Sequence, residues 1–364
     1  MNKPRDLQAI STQFQILGEF LGAEPYGTGH INDTYCATYD QAGVTVRYIH
    51  QRINRTVFQN PESLMDNIRR VTDHLRQKLG DRPDRTRRAL TLVPARDGRV
   101  FHRDPEGEYW RTYLFIERAR THDVVQSPKQ AFEAAKAFGQ FQRLLADMPL
   151  PRLHETIPHF HDTPARMAAL EKAIEADSLG RVSNARPEID FALSRRSLTT
   201  ALLEPHRRGA IPERITHNDT KLNNVMLDDD SQEGVCVIDL DTVMPGLALY
   251  DFGDLVRTAT SPALEDERDL SKVTMRLPMY EALVQGYLST AGDFLLDEER
   301  CRLATAGKLI TFEIGLRFLT DFLSGDVYFK IHRDGHNLDR CRTQFKLVES
   351  IEQQEPQMER LAVV

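Results

Sequence analysis

Between Ile215 and Gly253 the chain carries side chains whose types and spacing fit one chemistry. Asp219 lies two residues after His217 and five before Asn224, and an apolar run, Val235-Cys236-Val237-Ile238, delivers a further carboxylate at Asp239. Phosphoryl transfer asks little covalent work of a protein. It needs a carboxylate to take the proton of the attacking hydroxyl, and hard oxygen ligands to hold magnesium on the nucleotide phosphates. Asp219 fits the first need as catalytic base. Asn224, with a neutral amide oxygen, and Asp239, with a charged one, fit the second as metal ligands. A lone aspartate in a loop is more often a turn former or a helix cap. Here the string H-x-D-x-x-x-x-N is followed by a buried strand that ends in aspartate, and the combination is specific. The expected activity is that of an ATP- and magnesium-dependent kinase.

The neighbours take supporting roles. Asn218 and Thr220 flank the base and orient it, and Lys221 is placed to neutralise the transferring phosphoryl group. Asp241, on the same strand face as Asp239 if the chain stays extended, is a weaker candidate ligand. Asp251, in the string Asp251-Phe252-Gly253, lies beyond Asp239 and beyond the Pro245-Gly246 turn. That position suits holding the catalytic loop, a role shared with His217, rather than binding metal. Upstream, Gly27, Gly29 and Asn32 belong to a glycine turn expected to cover the nucleotide phosphates. It is not a Walker A loop, since no GK[ST] follows. His30 and Asn32 have side chains able to donate to phosphate or substrate, with His30 assigned to the substrate side, and either fits equally as a plain turn residue.

These residues need a frame. The spacing of Ile10, Phe14, Leu17 and Leu21 predicts a short amphipathic helix over Ile10 to Phe20. Strands are expected on both sides of the glycine turn, and at Val44 to Ile49, Leu90 to Pro94, Val100 to His102 and Tyr109 to Ile116. A helix is expected over Ser63 to Leu79. The last strand runs into Phe115-Ile116-Glu117, where Phe115 and Glu117 border the nucleotide. Past Glu117 the pattern turns helical: Gln130 to Leu145, a helix begun by Asp162-Thr163-Pro164 and running near 164–178, another near 187–204, and helices from Leu277 onward with a break around Ser324 to Leu338. The fold class is α+β, with a small β-rich N-lobe over residues 1–117 and a larger, mostly helical C-lobe over 118–364, joined by a short hinge.

Composition narrows the partners. At 364 residues one core is too few, and 40% hydrophobic with 28% charged residues is ordinary for a soluble globular protein. A net charge of −7 argues against nucleic acid or anionic membrane as main partner. The arginine-rich stretch Asp81 to Arg88 is interrupted by aspartates and a proline and reads as a solvated loop. Four scattered cysteines without a CxxC pair, no apolar run in the first residues and no segment of roughly 20 apolar residues fit a cytoplasmic monomer acting on a small molecule.

The motifs together resemble the aminoglycoside phosphotransferase-like kinases of protein-kinase-like fold, and within them the N-acetylhexosamine 1-kinases. The strings that carry the resemblance are EPYGTGHINDTY, ETIPHFHDTP, ARPEIDF, ITHNDTKLNN, IDLDTVMPG, DFGD, ALEDERDLSKV and GLRFLTDFLSGDVYF. The resemblance implies transfer of the ATP γ-phosphate to the anomeric hydroxyl of N-acetylglucosamine or N-acetylgalactosamine. In one respect the chain departs from the protein-kinase pattern. The third strand, through Gln51 and Arg52, has no lysine, and the helix after it offers no glutamate to pair with one, so Gln51 or Arg52 is expected at the phosphates. On the substrate side, Glu313, Arg317 and Asp321 form one polar stripe on an otherwise apolar helix. Its plain reading is a self-contained salt-bridge stripe. The resemblance implies instead that Arg317 hydrogen-bonds the sugar beside Tyr328 as an aromatic wall. His154, His159 and His161 match no zinc spacing. The rival readings are a kinase for another small alcohol, such as an aminoglycoside, choline or homoserine, and a nucleotide-binding pseudokinase.

Overall fold

The computed structural model describes residues 5–27, 29 and 31–362. A short helix α1 (Leu7–Ser11) precedes strand β1 (Glu19–Pro25), then β2 (Asp33–Gln41) and β3 (Val44–Arg52). The expected helix over 10–20 stops at Ser11. Gly18 sits at φ +95°, a Cβ there would meet the Asp40 carbonyl, and Phe14 instead bridges Ala95 and buries itself with Trp110. Leu17 and Leu21, two of the four apolar positions behind that reading, are exposed.

Helix α2 (Pro61–Leu79) starts at Asn60, whose side chain accepts from the Ser63 N–H, with Pro61 at its first position. The arginine-rich stretch forms α3 (Arg85–Arg88) and is not a free loop: Arg87 donates to the Glu117 and Arg118 carbonyls and pairs with Asp228, and Arg88 donates to the Gly234 carbonyl. Next come β4 (His102–Arg103) and β5 (Tyr109–Leu114), which complete an antiparallel sheet in the order β1-β2-β3-β5-β4. Leu90 to Pro94 runs beside β5 through single bonds, Val93 N–H to Thr112 and Leu114 N–H to Thr91, without becoming a ladder. Pro94 has no N–H to continue one.

The chain leaves this sheet through β6 (Ala119–Arg120) and enters α4 (Pro128–Leu145), α5 (Thr163–Ala176), α6 (Arg186–Ser194) and α7 (Leu203–Arg207). Asp162 caps α5 by accepting from the Ala165 N–H. The expected continuous helix over 187–204 is broken after Ser194. Ser194 and Thr199 turn their hydroxyls back onto the Phe191 and Arg196 carbonyls, a local bond that competes with helix propagation. Strand β7 (Arg214–Thr216) is followed by the hairpin β8 (Val225–Asp228) and β9 (Gly234–Val237), then β10 (Met244–Gly246), which pairs antiparallel with β7. Helices α8 (Ala248–Ala259), α9 (Leu277–Ala291), α10 (Asp297–Arg300), α11 (Leu303–Leu323) and α12 (His336–Ala362) finish the fold.

The structure is thus α+β, with a β-sheet N-terminal region and a helical C-terminal region. The main apolar core joins α2, α4, α8, α9 and the β8–β9 hairpin, and a second cluster around Phe312, Leu316, Leu319 and Phe345 joins α5, α6, α11 and α12. Helices α4 and α9 approach closely because a Cβ on Gly286 would stand 2.2 Å from the Phe132 carbonyl oxygen. Among the described residues no helix is long and apolar enough to cross a membrane, and the cysteines are free.

Candidate active site

The loop after β7 is held by Asp251, in the first turn of α8. Its buried carboxylate accepts from the backbone N–H groups of His217 (2.9 Å) and Asn218 (2.7 Å) and from Gln142 Nε2 (2.6 Å), while Thr220 Oγ1 donates to its carbonyl. Burial pushes this carboxyl above the usual carboxylate range, against the pull of the loop N–H groups. Both oxygens of Asp251 are engaged, Oδ1 by one donor and Oδ2 by two, which suits holding the loop rather than binding a metal. The glycine of the same Asp-Phe-Gly string is a packing glycine: a Cβ on Gly253 would stand 2.5 Å from the Ala306 carbonyl of α11.

Asp219 stands at the tip of this loop with 28% of its side chain exposed, so a substrate hydroxyl can reach it. Its carboxylate takes Lys221 Nζ at 2.9 Å and Asn224 Nδ2 at 3.1 Å, and its own N–H donates to His217 Nδ1 at 3.3 Å. His217 Nε2–H in turn donates to the Ile238 carbonyl. Limited hydration opposes ionisation here, but Lys221 first, then His217 and Arg257, hold the Asp219 carboxyl below its ordinary range. The group is therefore a carboxylate, the form a proton acceptor requires.

The β8–β9 hairpin brings the two proposed metal ligands side by side, since the Ile238 N–H donates to the Asn224 carbonyl. Asn224 spends its amide nitrogen on Asp219 and leaves Oδ1 unclaimed among the described residues. Asp239 adopts φ +59°, a left-handed conformation that turns its carboxylate out of the strand. Among the described residues that carboxylate takes no hydrogen bond or ion pair. Asp239 is open to the cleft, yet the protein packed around the cleft weakens its solvation, and with repulsion from Asp241 and Asp219 this pushes its carboxyl up to about 6. Two unclaimed hard oxygens in a field of crowded negative charge fit a divalent cation of the magnesium class. No group of three or more His, Cys, Asp or Glu able to hold a metal exists among the described residues. The set therefore suits an ion that arrives with the oxygens of a ligand.

Asp241 is not a second ligand on an extended strand. Residues Leu240–Thr242 make a 3₁₀ turn, and the buried Asp241 is paired with the equally buried Arg111 of β5 and accepts from Asn32 Nδ2 at 2.6 Å. Burial works against the Arg111 charge, and Asp241 more than restores it. Asn32 also accepts from the Asn54 N–H. Gln51, directly across from Arg111 in the β3–β5 register, accepts from Arg111 Nε and donates to Thr34 Oγ1. Arg52 is committed elsewhere, to Asp33 and Glu108, which removes it as the phosphate contact. Beside Gln51 the buried cation is Arg111. Its sequence signal was available: a single arginine in Tyr109-Trp110-Arg111-Thr112-Tyr113, a strand buried at every one of these positions.

Gly27 and Gly29 face open space in the turn, while His30 lies outside the described residues. Just past β5, Tyr26 packs edge-on against Phe115 at 5.6 Å, and the Arg47 guanidinium lies 3.8 Å over the same ring. Glu117 is paired with Arg47 in an exposed position.

Helix α11 reaches the same loop through His161, and its polar stripe is not a self-contained salt-bridge row. Glu313 accepts from His161 Nδ1 (2.8 Å) and Thr163 Oγ1 (2.5 Å). Asp321 accepts from the backbone N–H groups of Val327, Tyr328 and Phe329, fixing the loop after the helix. Arg317, between them, makes no ion pair among the described residues. Its guanidinium lies among the rings of Phe160 (5.7 Å), Tyr328 (5.7 Å) and Phe329 (5.4 Å), with Tyr328 Oη at 3.5 Å. Phe160 and Phe329 were not singled out from sequence. Phe160 leads directly into His161, whose Nε2 reaches the Asn218 carbonyl, so the Arg317 wall lies one residue from the catalytic loop.

A β-sheet over a helical region, with an ionised aspartate beside two unclaimed hard oxygens, defines a kinase-like phosphotransferase. The chain belongs to the phosphotransferase enzyme family, which it matches over residues 22–293. Solved structures share the fold at low identity. An aminoglycoside phosphotransferase from Alicyclobacillus acidocaldarius aligns with a TM-score of 0.63 and 14% identity, covering 99% of this chain and 98% of its own. Spectinomycin phosphotransferase bound to ADP and spectinomycin aligns at 0.57 and 11%, covering 92% and 94%. A choline kinase from Cryptosporidium parvum aligns at 0.54 and 14%, covering 92% and 90%.

Proposed function

We propose that this phosphotransferase uses ATP and magnesium to phosphorylate an N-acetylhexosamine, N-acetylglucosamine or N-acetylgalactosamine, at its anomeric oxygen. The observation that carries the kinase part is the ionised Asp219 beside the free oxygens of Asn224 and Asp239. In this reading Asp219 takes the proton of the anomeric hydroxyl as its oxygen bonds to the γ-phosphorus and the bond to the bridging oxygen of ADP breaks. Lys221, 2.9 Å from Asp219, is near enough to offset charge on the transferring group. Magnesium, held by Asn224 and Asp239, neutralises charge on the phosphate oxygens when bound. Arg111, neutralised by Asp241, braces Gln51 behind the nucleotide phosphates, and the turn through Gly27, Gly29 and Asn32 covers them.

Arg317 supports the choice of acceptor. Choline and aminoglycosides carry positive charge, and a guanidinium without an ion pair in the acceptor wall repels them. A neutral, oxygen-rich sugar with an acetamido carbonyl suits a guanidinium donor, and the rings of Tyr328, Phe160 and Phe329 suit the apolar face of a pyranose. The test is phosphorus NMR of the product after incubation with Mg-ATP and each N-acetylhexosamine. A sugar 1-phosphate is expected; phosphate on any other oxygen, or turnover only with a cationic alcohol, refutes the reading.

A further inference from the structure

The peptide unit joining Asn218 to Asp219 is gripped at both ends by imidazoles. Its N–H donates to His217 Nδ1, and its carbonyl oxygen accepts from His161 Nε2 at 3.2 Å. The remaining polar groups of Asn218 are also committed: its N–H to Asp251, its Nδ2 to the Thr242 carbonyl and its Oδ1 to the Thr216 hydroxyl. Asn218 needs that restraint, because it sits at φ +65°, a conformation costing on the order of 1 kcal/mol for a residue with a side chain. The orientation of the peptide plane sets where the Asp219 carboxylate points.

His161 differs from His217 in what it faces. Its Nδ1 meets the Glu313 carboxylate and its Nε2 a backbone carbonyl, and both oxygens can only accept. With only acceptor oxygens facing it, each ring nitrogen is placed to donate. The ring is enclosed, with 4% of its side chain exposed, against Phe160 and Tyr250 at 4.8 Å each. Among the described residues, the charged or ionisable groups near it include Glu313 and Arg317 on α11, Asp162 and Arg166 at the start of α5, and Tyr250 on α8. Burial would raise the Glu313 carboxyl, but His161, Thr163 and Arg317 hold it below its ordinary range, so the partner is a carboxylate.

We propose that His161 is a positioning residue: a doubly protonated strut from Glu313 of α11 to the Asn218 carbonyl that aims Asp219 at the acceptor hydroxyl. The inference rests on reading Asp219 as the base. Glu313 is one helical turn from Arg317, so the same strut fixes the base relative to the wall that meets the acceptor. Neither the loop motif nor the α11 stripe contains this connection; it joins residues 57 and 152 positions apart.

The experiment uses the full chain labelled with 15N-histidine, the His161 resonance being assigned in the wild type through its contacts with the rings of Phe160 and Tyr250. At pH 7.5 both ring nitrogens of wild-type His161 are expected at imidazolium shifts, and in Glu313→Gln one of them is expected at the shift of an unprotonated nitrogen. With Mg-ATP and acceptor saturating, kcat falls about tenfold or more in His161→Gln and Glu313→Gln while the KM for ATP holds. The double variant is no worse than the poorer single one. A neutral His161 in the wild type overturns the proposal even if neither variant folds, and so does a wild-type kcat in folded His161→Gln. Asp219→Asn in the same assay separates the two readings. An active Asp219→Asn defeats the assignment of the base, whereas an inactive one beside a fully active His161→Gln defeats only the strut.

Discussion

At the floor of the cleft, Asp251 alone receives two backbone N–H groups and a glutamine amide, and Asn218 beside it has all its polar groups paired. Across from it, Arg317 touches three aromatic rings and pairs with no carboxylate among the described residues. The floor is fixed by main chain gripping main chain through buried side chains, a construction that leaves one geometry. The α11 wall is fixed at its base, by Glu313 and Asp321, and leaves its central cation open. The contrast matches the work that the proposed function gives each region. Positioning a base and two hard oxygens tolerates little displacement, whereas an acceptor pocket needs unsatisfied donors that the ligand itself completes. The two regions should therefore fail differently when damaged.

The largest failure is expected at the tip of the floor. Asp219→Asn keeps the size and the contact with Lys221 but removes the proton acceptor, and kcat should fall by about 10³-fold or more with the melting temperature nearly unchanged. Steady-state turnover and circular dichroism on the same preparation check this. Activity near that of the wild type would remove Asp219 from the chemistry. Next comes Asp251→Asn, which acts from behind. An amide has one acceptor where the loop presents two N–H groups, so a buried donor is left facing an NH₂. A stability loss of about 2 kcal/mol should accompany a kcat decrease of about 100-fold. Equal loss of kcat without any loss of stability would show that Asp251 does more than hold the loop.

The same contrast governs what could be read from the chain alone. The floor is compact in sequence: His217, Asp219, Asn224 and Asp239 lie within one loop-strand-turn-strand unit, and local spacing exposes them. Arg111 and Asp241 are 130 residues apart, and the pairing is set by sheet register and a 3₁₀ turn, neither of which leaves a periodic trace. Asp241 was misread for that reason. The left-handed Asp239 ends the strand, so counting two residues along an extended chain puts Asp241 on the wrong face. Arg52 was misplaced by the same kind of error, since the alternation of β3 sends it to Asp33 and Glu108 while Gln51 turns to Arg111. The stripe on α11 was legible as a stripe, yet its partners Thr163, His161 and Asn337 come from other elements. The helix at 10–20 failed because apolar spacing fits a helix even where a glycine at positive φ and a buried aromatic demand an extended path.

On the wall, damage should show in binding before it shows in rate. Asp321→Ala releases three backbone N–H groups from Val327 to Phe329 and the Asn337 amide, and so loosens the loop that carries Tyr328. The KM for the acceptor should rise about tenfold, equivalent to about 1.4 kcal/mol, with kcat changed by no more than about threefold. A collapse of kcat at constant KM would mean that the wall and the floor are not separable in the way the geometry describes.

The smallest effect sits between the two regions, at Asp239, and its sign is fixed by the crowding there. In the metal-free protein its carboxyl is pushed up to about 6, above its ordinary value of 3.8, so the folded state binds this proton more tightly than the unfolded chain does. Asp239 therefore adds stability at low pH, and that contribution disappears as pH rises through about 6. Magnesium competes for the same oxygens, so the thermal shift produced by Mg-ADP should grow from pH 5 to pH 7.5 and level off above about 6. Other carboxylates here are depressed and act in the opposite direction, and ADP has its own proton equilibria, so the meaningful quantity is the difference between wild type and Asp239→Asn. In the variant the metal-dependent part of the shift should be smaller and lose its step near pH 6. A step that survives in Asp239→Asn would move the metal-linked proton to another group, with Asp219 the first to test, because its repulsion is one of the forces raising Asp239.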